Sequence, residues 1–100
     1  MVISVREVSI FADTNTQGDA LFNAVNAGLQ VEDVIKVDFA GISNATSSFM
    51  NSSFVRLLAS HDFETIRRRI MVVGANRQIA ALIKARMEFE AANKGRVIVH

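Results

Sequence analysis

The chain has 100 residues, of which 50% are apolar, and a formal net charge of +1 at neutral pH. This length and apolar content predict a single domain, residues 1–100, with one hydrophobic core, and the balanced charge disfavours a protein built chiefly to coat nucleic acid. The absence of cysteine excludes disulfides and thiolate metal sites, and with only two histidines in the chain we expect neither a metal nor a cofactor.

The N-terminal residues 2–11 partly alternate apolar and polar side chains, which predicts a strand with an irregularity at Arg6 and Glu7. These residues lack the basic head and uninterrupted apolar core of a secretory signal. No apolar run in the chain approaches the ~18 residues of a membrane-spanning helix. We therefore expect a cytoplasmic protein without a membrane segment.

A helix and a strand are predicted next. Residues 13–18 have the composition of a polar loop. The helix after it ends near Gly28 and has an apolar stripe at helical spacing: Leu21, Phe22, Val25 and Leu29. Residues 34–39 are rich in β-branched and aromatic side chains, which predicts an interior strand bounded by Gly41, with Asp38 near its C-terminal end.

Residues 44–48 carry side chains that can cap a helix, and a helix is predicted over residues 47–60. Its apolar face consists of Met50, Phe54, Leu57 and Leu58. A helical wheel places four residues away from that face: Phe49, Ser52, Ser53 and Arg56. An exposed Phe49 ringed by polar groups is typical of a protein-docking surface, and the alternative is that Phe49 folds back under the loop of residues 13–18.

The remaining elements are a turn, a strand, a long helix and a last strand. Residues 61–65 are predicted as the turn, where His61 caps the preceding helix. The apolar run of residues 70–73 predicts an interior strand. The long helix should then run to about Asn93, with Arg86 and Glu90 as an i,i+4 ion pair, before a strand at residues 96–99. The order β-α-β-α-β-α-β predicts an α/β domain with largely parallel pairing.

Residues 37–49 resemble the signature of STAS domains, the fold of sulfate transporters and anti-sigma-factor antagonists. In that family a strand ending in Asp-Leu-Ser-Gly-Val leads into Asp-Ser-Ser-Gly or Asp-Ser-Thr-Gly at the start of a helix. Here DFAGI at residues 38–42 occupies the first part of this signature, and TSSF at residues 46–49 occupies the second. Asp38 and Gly41 match the aspartate and the glycine of the first part. The chain is even more similar to the STAS-like family of unknown function, whose members carry Leu-Phe-Asn, Val-Asp-Phe and Thr-Ser-Ser-Phe elements.

In the antagonist branch of STAS domains, the serine directly after the motif aspartate is phosphorylated by a partner ATP-dependent kinase, and phosphorylation switches the bound partner. The resemblance places Ser47 at that position, with Ser48 beside it. Two residues depart from the pattern, since Thr46 replaces the aspartate and Phe49 replaces the glycine. The residues alone also permit a simpler interpretation, in which one of residues 46–48 caps the helix and contributes about 1 kcal/mol.

Together these features predict a STAS-like α/β domain with a mixed, mostly parallel sheet of four or more strands and helices chiefly on one face. We expect a non-enzymatic regulatory module that binds a protein partner, such as an ATP-dependent serine kinase. The candidate phosphoacceptors are Ser47 and Ser48, and the candidate partner-binding residues are Thr46, Phe49, Ser52, Ser53 and Arg56. Asp38 has no predicted acid, histidine or lysine beside it, which favours a structural carboxylate bonded to loop N–H groups over a catalytic one.

An alternative function is binding of a small anion, a nucleotide or nucleic acid. The arginines that would form this patch are Arg67, Arg68, Arg69 and Arg77. No stacking aromatic residue is interleaved with them. The competing interpretation is that the arginine run is solvated at the start of the strand, or that it pairs with Asp62 and Glu64.

Overall fold

The centre of the fold is a parallel sheet of short strands, in which β-branched residues predominate. The computed structural model describes residues 1–8 and 15–97. In them the strands are β1 (Val2–Ser4), β2 (Ile35–Asp38) and β3 (Ile70–Val73). β2 lies between the other two, and Val37 is level with Ile3 of β1 and Val72 of β3. Because parallel neighbours cannot be joined by tight turns, the connections cross through a helical layer.

The helices of the described residues make up that layer. They are α1 (Val5–Val8), α2 (Asn15–Leu29), α3 (Ser47–Ser52), α4 (Phe63–Arg69) and α5 (Arg77–Val97), with a 3-10 helix (Val55–Ala59) after α3. α2 packs against α3, and α5 packs against α3 and the 3-10 helix. The short helix α3 is therefore enclosed by two much longer helices.

The hydrophobic core lies between this helical layer and one face of the sheet. Ile35, Val37 and Phe39 are fully buried, and the ring of Phe39 stacks on that of Phe54 with 6.1 Å between centroids. The opposite face is exposed along the row formed by Val2, Lys36 and Met71. The described strands and helices thus form a mixed α/β domain with a small parallel sheet of three strands, where the sequence predicted four or more.

The N-terminal part of the chain differs from the prediction of one strand over residues 2–11. β1 ends at Ser4, and residues 5–8 form α1, where Val5 is buried and Arg6 is exposed. Residues 9–11 lie outside the described residues. The predicted loop at residues 13–18 also differs, because residues 15–18 belong to α2, which begins at Asn15; residues 13 and 14 are not described.

The predicted helix over residues 47–60 is broken in the middle. α3 ends at Ser52, and the 3-10 helix begins three residues later. The hydroxyl of Ser52 donates to the carbonyl of Ser48 at 3.0 Å, and that of Ser53 donates to the carbonyl of Phe49 at 2.7 Å. Serine side chains that bond to the preceding turn weaken and bend a helix, which accounts for the interruption.

Two further predictions were wrong at element boundaries. The predicted turn over residues 61–65 contains the start of α4, since the carboxylate of Asp62 accepts a hydrogen bond from the backbone N–H of Thr65 at 2.7 Å and caps that helix. The predicted strand at residues 96–99 is helical at residues 96 and 97, and residues 98–99 are not described. α5 therefore continues beyond its predicted end near Asn93, through Gly95 to Val97.

Candidate functional site

The candidate site begins at the carboxyl end of β2, where Asp38 closes the loop that leads to α3. Its Oδ1 accepts a hydrogen bond from the backbone N–H of Ala40 at 2.9 Å. The same oxygen lies against Gly74, at the end of β3, where a Cβ would overlap it. The bond to a loop N–H is the structural role that the sequence favours for Asp38, and the carboxylate packs where the ends of two neighbouring strands meet.

Gly41 lies in the turn that follows β2, in the loop that leads to α3. Its φ is +85°, in the left-handed region that side chains disfavour. A Cβ at Gly41 would also lie 2.8 Å from Nη1 of Arg6, so the guanidinium of α1 covers this turn. The backbone conformation therefore favours glycine here, whereas the exposed Arg6 side chain could move aside for a Cβ.

Asn76 connects this loop to α5. Its Oδ1 accepts from the backbone N–H of Ile79 at 2.8 Å, which caps the helix, and its Nδ2 donates to the carbonyl of Ser43 at 2.9 Å. The cap is visible in the sequence, because asparagine before an apolar stripe is a helix-start signal. The bond to Ser43 could not be predicted, since nothing local specifies a contact between these two segments.

Thr46 caps α3, which leaves the two following serines uninvolved in the cap. Thr46 is extended, with φ −104° and ψ 162°, and its Oγ1 accepts from the backbone N–H of Phe49 at 3.2 Å. Ser47 and Ser48 follow in the first turn and are exposed. Neither hydroxyl makes a hydrogen bond within the part of the chain that the structure describes.

Two of the candidate partner-binding residues are buried, contrary to the prediction. Phe49 is 0% exposed and Ser53 is 1% exposed. The reason is the position of α3 between α2 and α5: Gly18 of α2 comes so close that a Cβ there would lie 2.6 Å from the carbonyl oxygen of Phe49. Neither side chain can therefore contact a partner while the domain is folded.

Ser52 and Arg56 extend the accessible side of α3 toward α2. Ser52 is half-buried and lies against Gly18. Arg56 is exposed and pairs with Asp19 of α2 at 3.2 Å, with its guanidinium 4.1 Å above the ring of Phe22. Thr46, Ser47, Ser48, Ser52 and Arg56 form what we call the Ser47 surface. Sequence reasoning missed Asp19 and Phe22, although Phe22 belongs to the Leu-Phe-Asn element.

The four arginines of the alternative site do not form one patch. Arg69 donates to three backbone carbonyls, those of Leu29 at 2.8 Å, Glu32 at 2.9 Å and Asp33 at 3.0 Å. It thereby satisfies carbonyl groups at and beyond the C-terminus of α2. Arg67 pairs with Glu64 at 3.1 Å. Arg77 begins α5, beyond the C-terminal end of β3, whereas the other three arginines precede the N-terminal end of β3.

Within residues 1–8 and 15–97, no group of three or more His, Cys, Asp or Glu side chains could hold a metal ion. Ser60 is the C-cap of the 3-10 helix, and the backbone N–H of the next residue, His61, also donates to the carbonyl of Leu57, at 2.9 Å. The Nε2 of His61 is buried and has no hydrogen-bond partner among the described residues. No helix in the described ranges has both the length and the hydropathy to cross a bilayer.

The comparisons with known proteins agree with this mixed α/β architecture. Residues 17–80 match the model of the family described as STAS-like domain of unknown function (DUF4325). The match spans more than half of the chain and includes β2, the loop to α3, and β3, so the chain belongs to this family of STAS-like domains. Neither a curated protein nor a solved structure shows significant similarity to it.

Proposed function

We propose that this STAS-like domain is a non-enzymatic, cytoplasmic signalling module that binds a protein partner through the Ser47 surface. Ser47 or Ser48 is then the phosphoacceptor of an ATP-dependent serine kinase, which is itself a candidate partner. The observation that carries the proposal is the division of roles in the first turn of α3. Thr46 makes the cap, and the next two hydroxyls are exposed and have no bond within the described residues.

This division of roles matters for a switch. A hydroxyl that caps a helix accepts a backbone hydrogen bond, so phosphorylation of that hydroxyl changes the capping group itself. Ser47 carries no such role, so a phosphoryl group can be added while the cap at Thr46 persists. The modification adds a charge of about −1.5 to −2 to a surface that otherwise carries hydroxyls and Arg56, which is paired with Asp19, and this changes the partners that the surface can accept.

The departures from the antagonist motif are compatible with this proposal. Phe49, which replaces the motif glycine, points into the core and does not obstruct the surface. Thr46, which replaces the motif aspartate, performs the capping that aspartate performs equally well. The difference at residue 46 is therefore one of charge, and it should affect which kinase accepts the site more than how the site is shaped.

The experiment is recovery of the tagged domain from its native cell, with identification of bound proteins and intact-mass detection of phosphate. The variants are Ser47→Ala, Ser48→Ala and Ser47→Asp. Ser60→Asp serves as the matched control, because Ser60 is exposed and lies outside the Ser47 surface. We expect phosphate on the wild type, its loss in one of the alanine variants, and partner binding that is altered by Ser47→Asp but not by Ser60→Asp. Equal partner binding by the wild type and Ser47→Asp would overturn the switch.

A further inference from the structure

A groove of about 450 Å³ lies between β3, α4 and α5, away from the Ser47 surface. Its walls are apolar and include Phe54, Ile66, Ile70, Val72, Ile83 and Met87. Its rim is charged, with Arg67 on α4 and with Lys84 and Glu88 on α5. The groove arises because α5 packs on α3 and the 3-10 helix, which leaves space between α5 and β3.

β3 borders this groove and forms an open edge of the sheet. It pairs with β2 on one side and with no strand on the other, within the described residues. The backbone N–H of Phe39 donates to the carbonyl of Val73 at 2.9 Å, so Val73 faces β2. Backbone groups alternate along a strand, and the N–H and C=O of Val72 therefore point toward the open edge, where the described part of the chain gives them no partner.

The edge strand β3 lacks two of the features by which proteins protect an exposed strand. β3 has the sequence Ile-Met-Val-Val, without a charged residue or a proline. The side chains of Ile70 and Val72 line the groove. A strand added beside β3 would direct every second side chain into the same groove, because side chains on one face of a sheet repeat every two residues.

The charges at the rim favour an acidic occupant. Lys84 is exposed and has no ion pair in the ranges that the structure describes, whereas Arg67 is shared with Glu64. Glu88 also lies at the rim, and Glu64 already neutralises Arg67. Lys84 is therefore the cation that a ligand would meet there, which makes an acidic group on the ligand more favourable than a basic one.

We propose that β3 and the groove bind an extended peptide segment of a partner protein, which adds to the sheet as a fourth strand. The segment has apolar residues at alternate positions, which enter the groove, and an acidic residue near Lys84. This recognition mode combines main-chain hydrogen bonds for affinity with side-chain pockets for specificity. The site goes beyond the proposed function, since it shares no residue with the Ser47 surface.

The test titrates the 15N-labelled domain with the synthetic peptide acetyl-Thr-Ile-Thr-Val-Thr-Glu amide, in which Glu lies on the same face of the strand as Ile and Val, and follows backbone amide shifts. We expect saturable shifts at residues 70–73 and 83–88. N-methylation of alternate peptide nitrogens should weaken binding about tenfold, since it removes main-chain donors. Replacing the peptide's Glu with Lys should weaken it about fivefold. Both comparisons change only the peptide, so neither requires a protein variant to fold.

A matched pair of protein variants tests whether Lys84 is the residue that contacts the acidic side chain of the peptide. Lys84→Glu should weaken binding of this peptide about fivefold, whereas Lys36→Glu, on the exposed face of the sheet, should change it less than about twofold. Ser47→Asp should leave peptide affinity unchanged, which separates this site from the proposed switch. Equal binding of the N-methylated peptide, shifts confined to the Ser47 surface, no saturable shift at millimolar peptide, or pairing of β3 with a second copy of the chain would each overturn the proposal.

Discussion

The carboxylate of Asp38 lies directly against Gly74, so that the carboxyl ends of β2 and β3 are in contact through one side chain and one glycine. The φ of Gly74 is +69°, and a Cβ there would also lie 3.0 Å from the backbone nitrogen of Ala40. Gly74, the residue directly after β3, is thus restricted to glycine both by its φ and by its close neighbours. This contact positions the loop from which α3 begins.

Gly74→Ala should lower the free energy of unfolding by about 1–3 kcal/mol, because alanine is strained at this φ and its methyl group displaces Asp38. Gly95→Ala is the matched control. Gly95 lies within α5, where alanine is the better helix former, so this variant should be neutral or more stable by up to about 1 kcal/mol. Urea unfolding of both variants measures the difference, and equal midpoints would contradict the role assigned to Gly74.

Thr46→Ala should destabilise the domain by about 1 kcal/mol, because it removes the hydrogen bond to the N–H of Phe49. Thr46→Asp should retain most of the stability, since aspartate caps as well as threonine does. Ser47→Ala should change stability by less than about 0.5 kcal/mol, as expected for an exposed side chain outside the cap. Chemical denaturation compares the three, and a larger loss for Ser47→Ala than for Thr46→Ala would reverse the roles proposed for these residues.

Phe49→Ala should cost about 3–5 kcal/mol, because it leaves a cavity in a fully buried site. Phe89 provides the comparison: its side chain is 56% exposed, with the guanidinium of Arg86 5.7 Å from its ring, and Phe89→Ala should cost about 1 kcal/mol or less. Thermal unfolding monitored by circular dichroism tests both. If Phe49→Ala is no more destabilising than Phe89→Ala, then Phe49 cannot be part of the core.

Arg69→Ala should destabilise the domain by about 2 kcal/mol, since three backbone carbonyls lose a charged donor. Arg68→Ala should have an effect of less than about 0.5 kcal/mol, because Arg68 is exposed and makes no bond within the described residues. Denaturant unfolding gives both values. Oligonucleotide binding at two salt concentrations completes the test, and a steep salt dependence abolished by either variant would instead favour the anion-binding alternative.

The parts of the fold that the sequence predicted are those with a strong local signal. β2 and β3 follow from runs of β-branched residues at positions 34–39 and 70–73. The predicted pairing of Arg86 with Glu90 is confirmed at 2.8 Å, because spacing alone brings i and i+4 together on a helix. The STAS-like resemblance is confirmed by the family match over residues 17–80.

The parts that the sequence did not predict depend on contacts between segments distant in the chain. Phe49 falls on the polar side of an isolated helical wheel, and only the close packing of α2 at Gly18 shows that this side is also covered. Arg69 belongs to an apparently solvated basic run, and its partners are 36 to 40 residues away. No periodicity within a short window could have indicated either contact.

The attachment of Arg69 to the end of α2 also has a consequence for how the chain folds. The bond to Leu29 closes a loop of 40 residues, so the turn after α2 gains this support only when the chain has reached α4. The amide hydrogens of Val31 and Glu32, which bond to the carbonyl of Gly28, are thereby stabilised by a late, long-range event. Their exchange with deuterium should follow global unfolding of the domain instead of local fraying at a helix terminus.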